Sequence, residues 1–336
     1  MKMAAARLAK QPLTVEAMRQ VMEGLMSGAM PPEEIRAFLL ALAERGETAE
    51  ELAAAVDVVR AHAVRLPLSK ALELCDTCGT GGDQQGTFNI STLAALAACA
   101  CGVRVAKHGN RAASSRCGSA DVLQALGVNV EASPERVAQS IEELGFGFCF
   151  APRFHPAMKI VAPIRKELGR RTIFNLIGPL ANPAPLTFQL VGVAEAALLM
   201  PVAQALLRLG IRHGMVVHGE DGLDEITTTQ ETRALEVHGG AVHPLCIRPE
   251  DFGLPRATLE DLRGGEAQEN ARLARDVLSG APSRKRDIVA LNAGCAIYVA
   301  DRALSLQEGV AKAETALASG RVLTLLERVV ELSNRS

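Results

Sequence analysis

The densest chemistry in the sequence lies in DTCGTGGDQQGTFNIST, residues 76–92. Gly79, Gly81 and Gly82 crowd the end of an expected strand, and Asn89-Ile90-Ser91-Thr92 opens an expected helix. Glycines let backbone amides come close to an anion, and a helix start adds unsatisfied N–H groups and the positive end of a dipole. Asp83 sits inside the cluster and Thr87 follows it, so the stretch reads as a phosphate-binding loop; the plainer alternative is a tight turn with Ser91 as a cap. A second loop, KHGNRAASSRCGSAD at 107–121, also follows a strand-like run. It combines Lys107 and Arg111 with Ser114, Ser115, Ser119, Gly109 and Gly118, and can surround a phosphate with charge, hydroxyls and amides together. The bland reading of Arg111 and Arg116 is a solvated surface. Two anion-suited loops after consecutive strands favour an extended ligand with more than one phosphate.

Two further stretches carry charge in unusual places. In RFHPAMKIVAPIRKELGRRTIFNLIGPLANPA (153–184), Pro163 interrupts a helical pattern and is expected to kink it. Arg165 lies beside that point on an otherwise apolar run, suited either to a carboxylate fork or to a structural salt bridge. His108 and His155 are candidate bases or polar wall groups. In HGEDGLDEITTT (218–229), Asp224-Glu225 follow a strand and a glycine turn. Paired carboxylates suit Mg²⁺ shared with phosphate oxygens, although such a pair is most often a solvated turn. Cys75 and Cys78 form a CxxC spacing without a second pair or a nearby His, so all eight cysteines read as ordinary reduced thiols.

The elements that must position these groups fall into two sections. Residues 1–70 carry helical periodicity: Pro32 with Glu33 and Glu34 marks one helix start, and Thr48 with Glu51 spells a capping box. From 71 to 336 short β-rich runs alternate with helical ones: ELCD, VRVAKH, GFCFA, FQLVGV and GMVVHG, then TRALEV and AVHPLCI. Residues after 258 read as helical. The expectation is an α/β fold: a small all-helical domain, then a larger domain with a mostly parallel central sheet, some of whose helices pack against the first. With 48% apolar and 22% charged residues in 336, the chain can bury a core. A net charge of −2, no Trp and one Tyr disfavour a nucleic-acid binder. No apolar run reaches the roughly 20 residues of a membrane span and no export leader is read, so a cytoplasmic protein without membrane association is expected.

Taken in order, GTGGD at 79, NIST at 89, KHGNR…SS…GSAD at 107, HPAMK…APIRKELG at 155, RTIFNLIGPLANPA at 171 and HGEDGLDE at 218 closely resemble the anthranilate phosphoribosyltransferase family along nearly the whole chain. The resemblance implies a nucleoside-phosphorylase-like fold, a homodimer, and transfer of phosphoribosyl from 5-phosphoribosyl 1-diphosphate (PRPP) to the amine of anthranilate in tryptophan biosynthesis. It implies a PRPP site of Gly79, Gly82, Asp83, Thr87, Asn89, Ile90, Ser91, Thr92, Lys107, His108, Gly109, Asn110, Arg111, Ala112, Ala113, Ser114, Ser115 and Ser119. Ser91, Asp224 and Glu225 would serve Mg²⁺. Gly79, Asn110 and Arg165 would meet anthranilate, with His108 and His155 along its entry route. No obligatory base is assigned. An association with anthranilate synthase subunits is compatible with the resemblance. The chain departs from the family pattern at Cys78, Gln84 and Cys117. The runner-up readings are a pyrimidine nucleoside phosphorylase, which lacks a diphosphate to bind, and a non-catalytic nucleic-acid-binding relative.

Overall fold

A computed structural model describes residues 9–112 and 116–335, so Ala113, Ser114 and Ser115 lie outside the described residues. Three helices come first: α1 (Val15–Met26), α2 (Pro32–Arg45) and α3 (Ala49–Ala61). Their starts are written locally. Thr14 accepts a hydrogen bond from Ala17 N, Pro32 occupies the first turn of α2, and Thr48 and Glu51 cap α3 reciprocally. Their apolar faces meet through Met22, Leu25, Phe38, Leu42, Leu52 and Val56.

Strand–helix alternation then begins: β1 (Leu74–Asp76), α4 (Ile90–Ala100), β2 (Val105–Gly109), α5 (Ser119–Ala125), α6 (Pro134–Leu144), β3 (Phe146–Phe150), α7 (Ala151–Phe154), α8 (Met158–Leu168), α9 (Ile173–Leu180), β4 (Leu186–Gly192), α10 (Leu199–Arg208) and β5 (His213–Gly219). The hairpin β6 (Thr232–His238) and β7 (Ala241–Ile247) precedes four helices, α11 (Ala267–Leu278), α12 (Arg284–Val299), α13 (Leu306–Ala318) and α14 (Arg321–Ser333). All seven strands read from the sequence are present. Helices α7 and α9 were not legible: α9 is eight residues long, apolar on nearly every side and contains Pro179, so it shows no helical period. Helix α8 runs through Pro163 as one element.

The strands form a single sheet in the order β3-β2-β1-β4-β5-β6-β7, parallel from β3 to β5 and antiparallel from β5 to β7. Its central strands are buried on both faces, as expected where helices cover a parallel sheet. Leu190, Met215 and Val217 face a layer containing α4 and α12, while Val191, Val216 and Val237 face α9, α10 and the N-terminal helices. Helix α8 joins that second layer through Val161 and Ile164. The chain steps from β1 outward to β3, then returns to place β4 on the other side of β1. Such a reversal opens a crevice beyond the carboxyl ends of the two strands that flank it, here β1 and β4. Among the described residues no helix is long and apolar enough to cross a membrane.

Candidate active site

The loop after β1 lies at that crevice. Gly81, Gly82 and Gly86 have φ of 64°, 86° and 69°, and Gln84 joins them in the left-handed region at 57°. Nothing lies within 4 Å of a Cβ built on Gly81 or Gly82, so backbone conformation rather than crowding selects glycine there. Gly79 is different: a Cβ on it would stand 2.8 Å from Asp224 Oδ2. The loop is tied down by Thr80 N donating to Gly192 O (2.9 Å) and Gly81 N donating to Asp224 Oδ2 (2.7 Å). Gly192, unremarked in the sequence, ends β4 against the Asp224 backbone with no room for any side chain.

Asn89 is the N-cap residue of α4, and no side chain caps that start. Instead Ser91 N donates to Glu225 Oε1 at 3.1 Å, so the acidic pair after β5 holds both the glycine loop and the helix start. Ile90 and Thr92 are buried, which leaves their backbone rather than their side chains for a ligand. Thr87 bridges to Arg263. On β2, Lys107 is only 1% exposed, and its Nζ reaches Thr77 O (3.4 Å), Thr77 Oγ1 (3.2 Å) and Ser91 Oγ (3.5 Å). Among the described residues no carboxylate lies within ion-pair distance of it. Its hydrogen bonds go to neutral oxygens, while the Asp76 and Glu225 carboxyls act on it through space rather than by a direct ion pair.

Burial, followed by the charge of Asp83, pushes the Asp224 carboxyl up; burial pushes Asp83 up as well. Glu225 is raised well above the usual carboxylate range too, by burial first and the charge of Asp224 second. Crowded carboxylates beside the Ser91 hydroxyl are hard oxygen donors of the kind Mg²⁺ takes, and a divalent cation offsets their mutual repulsion. The donor set therefore fits Mg²⁺.

Several residues the sequence reading passed over fix these groups in place. Asp76, fully buried at the end of β1, accepts from His108 N (3.3 Å), Cys78 N (3.1 Å) and Asn182 Nδ2 (2.8 Å). Burial raises its carboxyl to about 6, against the lowering effect of Lys107. Asn182 also donates to Ala106 O, so one buried pair joins β1, β2 and the segment after α9. Asn270 on α11 donates to Asn89 Oδ1 (3.0 Å) while Asn89 donates to Cys117 O (3.1 Å), linking the two expected phosphate loops. Arg111 is turned toward Asp121 (3.1 Å) and Gln124 (2.8 Å), and Asp121 accepts from the Ala112 and Gly118 amides. Gly109 leaves no room for a Cβ beside Ser119 Oγ, and Ser119 Oγ lies 3.4 Å from Asn110 O. Isolated Asn and Asp residues outside glycine motifs carry no sequence signal for such work.

On the apolar side, Arg165 has no ion-pair partner among the described residues. Its guanidinium lies 5.5 Å from the centre of the Phe174 ring, and burial lowers its proton affinity. That removes the salt-bridge reading among the described residues and leaves the fork available. His108 Nδ1 lies 2.9 Å from Gly178 O, while its Nε2 and both ring nitrogens of His155 are buried without hydrogen-bond partners. The rings meet edge to face at 5.1 Å. Burial brings His108 down to about 3, with His155 as the next cause, and brings His155 down to about 4. Both are neutral imidazoles near pH 7. Helix α9, illegible in the sequence, supplies Phe174 to Arg165 and Gly178 to His108. The eight thiols are all free; Cys75 lies inside β1 and burial pushes Cys78 up to about 12, which speaks against a reactive CxxC pair.

The α/β domain model of the glycosyl transferase family matches residues 71–323, and the helical bundle domain model of that family matches residues 4–63. The chain is 51% identical over 328 residues to an anthranilate phosphoribosyltransferase of Rubrobacter xylanophilus, covering 97% of this chain and 95% of that one. The crystal structure of the anthranilate phosphoribosyltransferase from Thermus thermophilus superposes with a TM-score of 0.94 at 50% identity, covering 99% of this chain and 100% of that one. The Saccharomyces cerevisiae enzyme, solved in complex with PRPP and Mg, gives 0.86 at 27% identity over 99% and 94% of the two chains. The same yeast enzyme has been solved with 4-fluoroanthranilate.

Proposed function

Because the chain belongs to the anthranilate phosphoribosyltransferase family, we propose how its own residues divide the work of that reaction. The reaction transfers 5-phosphoribosyl from PRPP to the amine of anthranilate, yielding N-(5-phosphoribosyl)anthranilate and diphosphate in tryptophan biosynthesis. The observation that carries the residue assignment is Lys107: a fully buried cation whose hydrogen bonds go to Thr77 and Ser91, the residues that flank the left-handed glycine loop at the sheet's switch point. The amides of 79–86 and of the α4 start, the Lys107 ammonium and the loop from Gly109 to Ser119 hold the phosphates. Asp224, Glu225 and Ser91 Oγ would hold Mg²⁺, which when bound supplies positive charge against the departing diphosphate.

Cleavage at the anomeric carbon leaves an oxocarbenium-like centre, so the protein's contribution is to stabilise a leaving anion and to aim a nucleophile. Arg165 receives the anthranilate carboxylate as a planar fork, with Asn110 and the Gly79 backbone alongside. With His108 and His155 neutral along the entry route, the positive charge near that wall comes from Arg165 and from Arg60, whose charge also holds both imidazoles down; of the two, Arg165 is assigned the carboxylate, because Arg60 donates to Leu180 O. The aniline nitrogen attacks the anomeric carbon with its own lone pair as the C–O bond to diphosphate breaks, and the proton it then sheds passes to the released diphosphate or to water, so no side chain is assigned as the base. We place the helical domain at residues 1–70 and the α/β domain at 71–336. The enzyme acts in the cytoplasm as a homodimer paired through the helical domain, where Val15 on α1 exposes a large apolar side chain and Ile160, on helix α8 beside that domain, exposes another.

The assay is the loss of anthranilate fluorescence on adding PRPP and Mg²⁺. Loss of signal that needs all three components supports the reading; a signal that never falls in the purified protein overturns it.

A further inference from the structure

A separate cluster of polar side chains stands at the other end of the sheet, away from the phosphate loops. His213 opens β5 and pairs across the ladder with His238 on β6, and Glu236 lies two residues from His238 on the same face. One ligand atom from each of His213, Glu236 and His238 lies within 4.8 Å of the others. The two imidazole rings stack at 4.4 Å. His213 is buried and His238 is exposed, so the cluster is anchored inside and open to solvent.

Two outer groups hold these three. Asp301 Oδ1 lies 2.9 Å from His213 Nδ1, and Tyr298 OH donates to Glu236 Oε1 at 2.8 Å; both come from the end of α12 and the turn after it. His213 Nε2 is itself 2.9 Å from the same Glu236 oxygen. A neutral imidazole has one N–H and satisfies one carboxylate, leaving a lone pair aimed at the other. A second proton or a cation relieves that repulsion. With Nδ1–H fixed by Asp301, Nε2 is turned out as a ligand, which is the usual carboxylate–histidine support of a metal centre. Arg212 pairs with Glu73 and Asp301, and this one guanidinium against three carboxylates leaves a net formal charge of −2 with the imidazoles neutral. His243 sits across from Glu236 on β7 and shares the face.

We propose that His213, Glu236 and His238 form a site for a borderline divalent transition ion of the Zn²⁺ class. Two imidazoles, one carboxylate and an open fourth position are the donors such an ion takes, whereas Mg²⁺ prefers oxygen alone. The ion joins the β5–β6 strand pair to the end of α12. It is distinct from the Asp224–Glu225 pair, which lies beyond the opposite end of β5.

The test uses the full-length protein stripped by chelation, then titrated calorimetrically with Zn²⁺ in excess Mg²⁺ so that the oxygen site is already filled. The wild type takes up one equivalent and its Tm rises. His238→Ala, an exposed change that leaves the fold intact, weakens that equivalent by more than about 100-fold and loses the Tm rise. Asp301→Asn, acting through His213, weakens it by roughly 10- to 100-fold. Phosphoribosyl transfer by His238→Ala stays at the wild-type rate, which separates this site from the catalytic reading. If the wild type binds no Zn²⁺ equivalent, or if His238→Ala binds and is stabilised equally, the proposal is overturned and the cluster is a structural hydrogen-bond network around His213.

Discussion

The two halves of the proposed active site are built from different materials. The phosphate half is mostly backbone: a loop with four left-handed positions, the amides at the start of α4, one buried ammonium and massed carboxylates. The acceptor half is side chains on an apolar ground: Arg165 over Phe174, and two neutral imidazoles without partners on three of their four ring nitrogens. Backbone donors are fixed by fold topology and suit a ligand whose charge is large and spread over many oxygens. A single guanidinium in an apolar wall suits a small aromatic acid. The two halves should therefore fail differently when changed.

The largest contrast is expected at the acidic pair. Asp224→Asn with Glu225→Gln keeps the shape and the acceptor oxygens for Gly81 N and Ser91 N, but removes the charge. Turnover should fall by at least about 10³-fold, because the charge opposing the leaving group is lost. Stability without Mg²⁺ should move the other way. These carboxyls are raised in the folded state, so the folded chain holds protons that the unfolded chain has released, and wild-type stability is lost as pH rises through neutrality. The double variant escapes that loss. Its metal-free Tm should exceed wild type near pH 7.5 and converge with it near pH 3, below the ordinary carboxyl values of 3.8 and 4.5, where the carboxyls are protonated in both states. A fall in Tm at pH 7.5 would mean that the pair is mainly a structural brace.

Arg165→Ala breaks the acceptor half alone. A charged hydrogen bond in a desolvated wall is worth roughly 1.5–3 kcal/mol, so the anthranilate KM should rise by about one to two powers of ten. PRPP affinity should hold, and Arg165→Lys should recover only part of the loss because an ammonium lacks the planar fork. Equal losses for both substrates in steady-state kinetics would make Arg165 structural.

The same division explains what was legible in the sequence. The phosphate half is written in consecutive residues, and glycines with hydroxyls at a strand-to-helix junction have a local meaning that survives without coordinates. The seven strands showed for the same reason, as β-rich runs bounded by turn residues. The acceptor half depends on residues brought together only by folding. Phe174 and Gly178 lie on a helix too short and too uniformly apolar to show a period. Asp76, Asn182 and Asn270 are single polar residues whose role exists only in their contacts. The direction in which Arg111 turns, toward Asp121, likewise follows from tertiary structure.

His155 offers a pH test of the acceptor wall. Its folded-state value is about 4, against 6.5 in the open chain. Between those limits the unfolded chain binds a proton that the folded chain refuses, so stability falls as the pH falls. His155→Leu removes that loss. The stability of the variant relative to wild type should grow by up to about 1.4 kcal/mol per pH unit from pH 6.5 down to 4. Denaturant unfolding at half-unit steps would show it. Parallel curves for the two proteins would mean that His155 takes up its proton as readily inside the fold as in the open chain.

The smallest expected effects come from two positions of the glycine loop and sharpen the claim that its backbone does the binding. At Gly82 φ is 86° and the surrounding space is open, so Gly82→Ala meets no neighbour and is opposed only by the left-handed backbone. That strain is roughly 1–2 kcal/mol, and it should weaken PRPP by about ten-fold while leaving anthranilate binding unchanged. At Gln84 the chain already holds a side chain in the same region, at φ 57°. Gln84→Gly should relieve about 1 kcal/mol of strain, but a glycine also gives the unfolded chain more freedom, by about 0.4–1 kcal/mol. The two nearly cancel in folding stability; PRPP affinity does not involve the unfolded chain and should stay within about two-fold of wild type, because the loop keeps the same backbone shape. Calorimetric titration with PRPP separates the outcomes. If Gln84→Gly tightens PRPP as much as Gly82→Ala loosens it, the loop is strained out of its binding shape in the free enzyme rather than held ready.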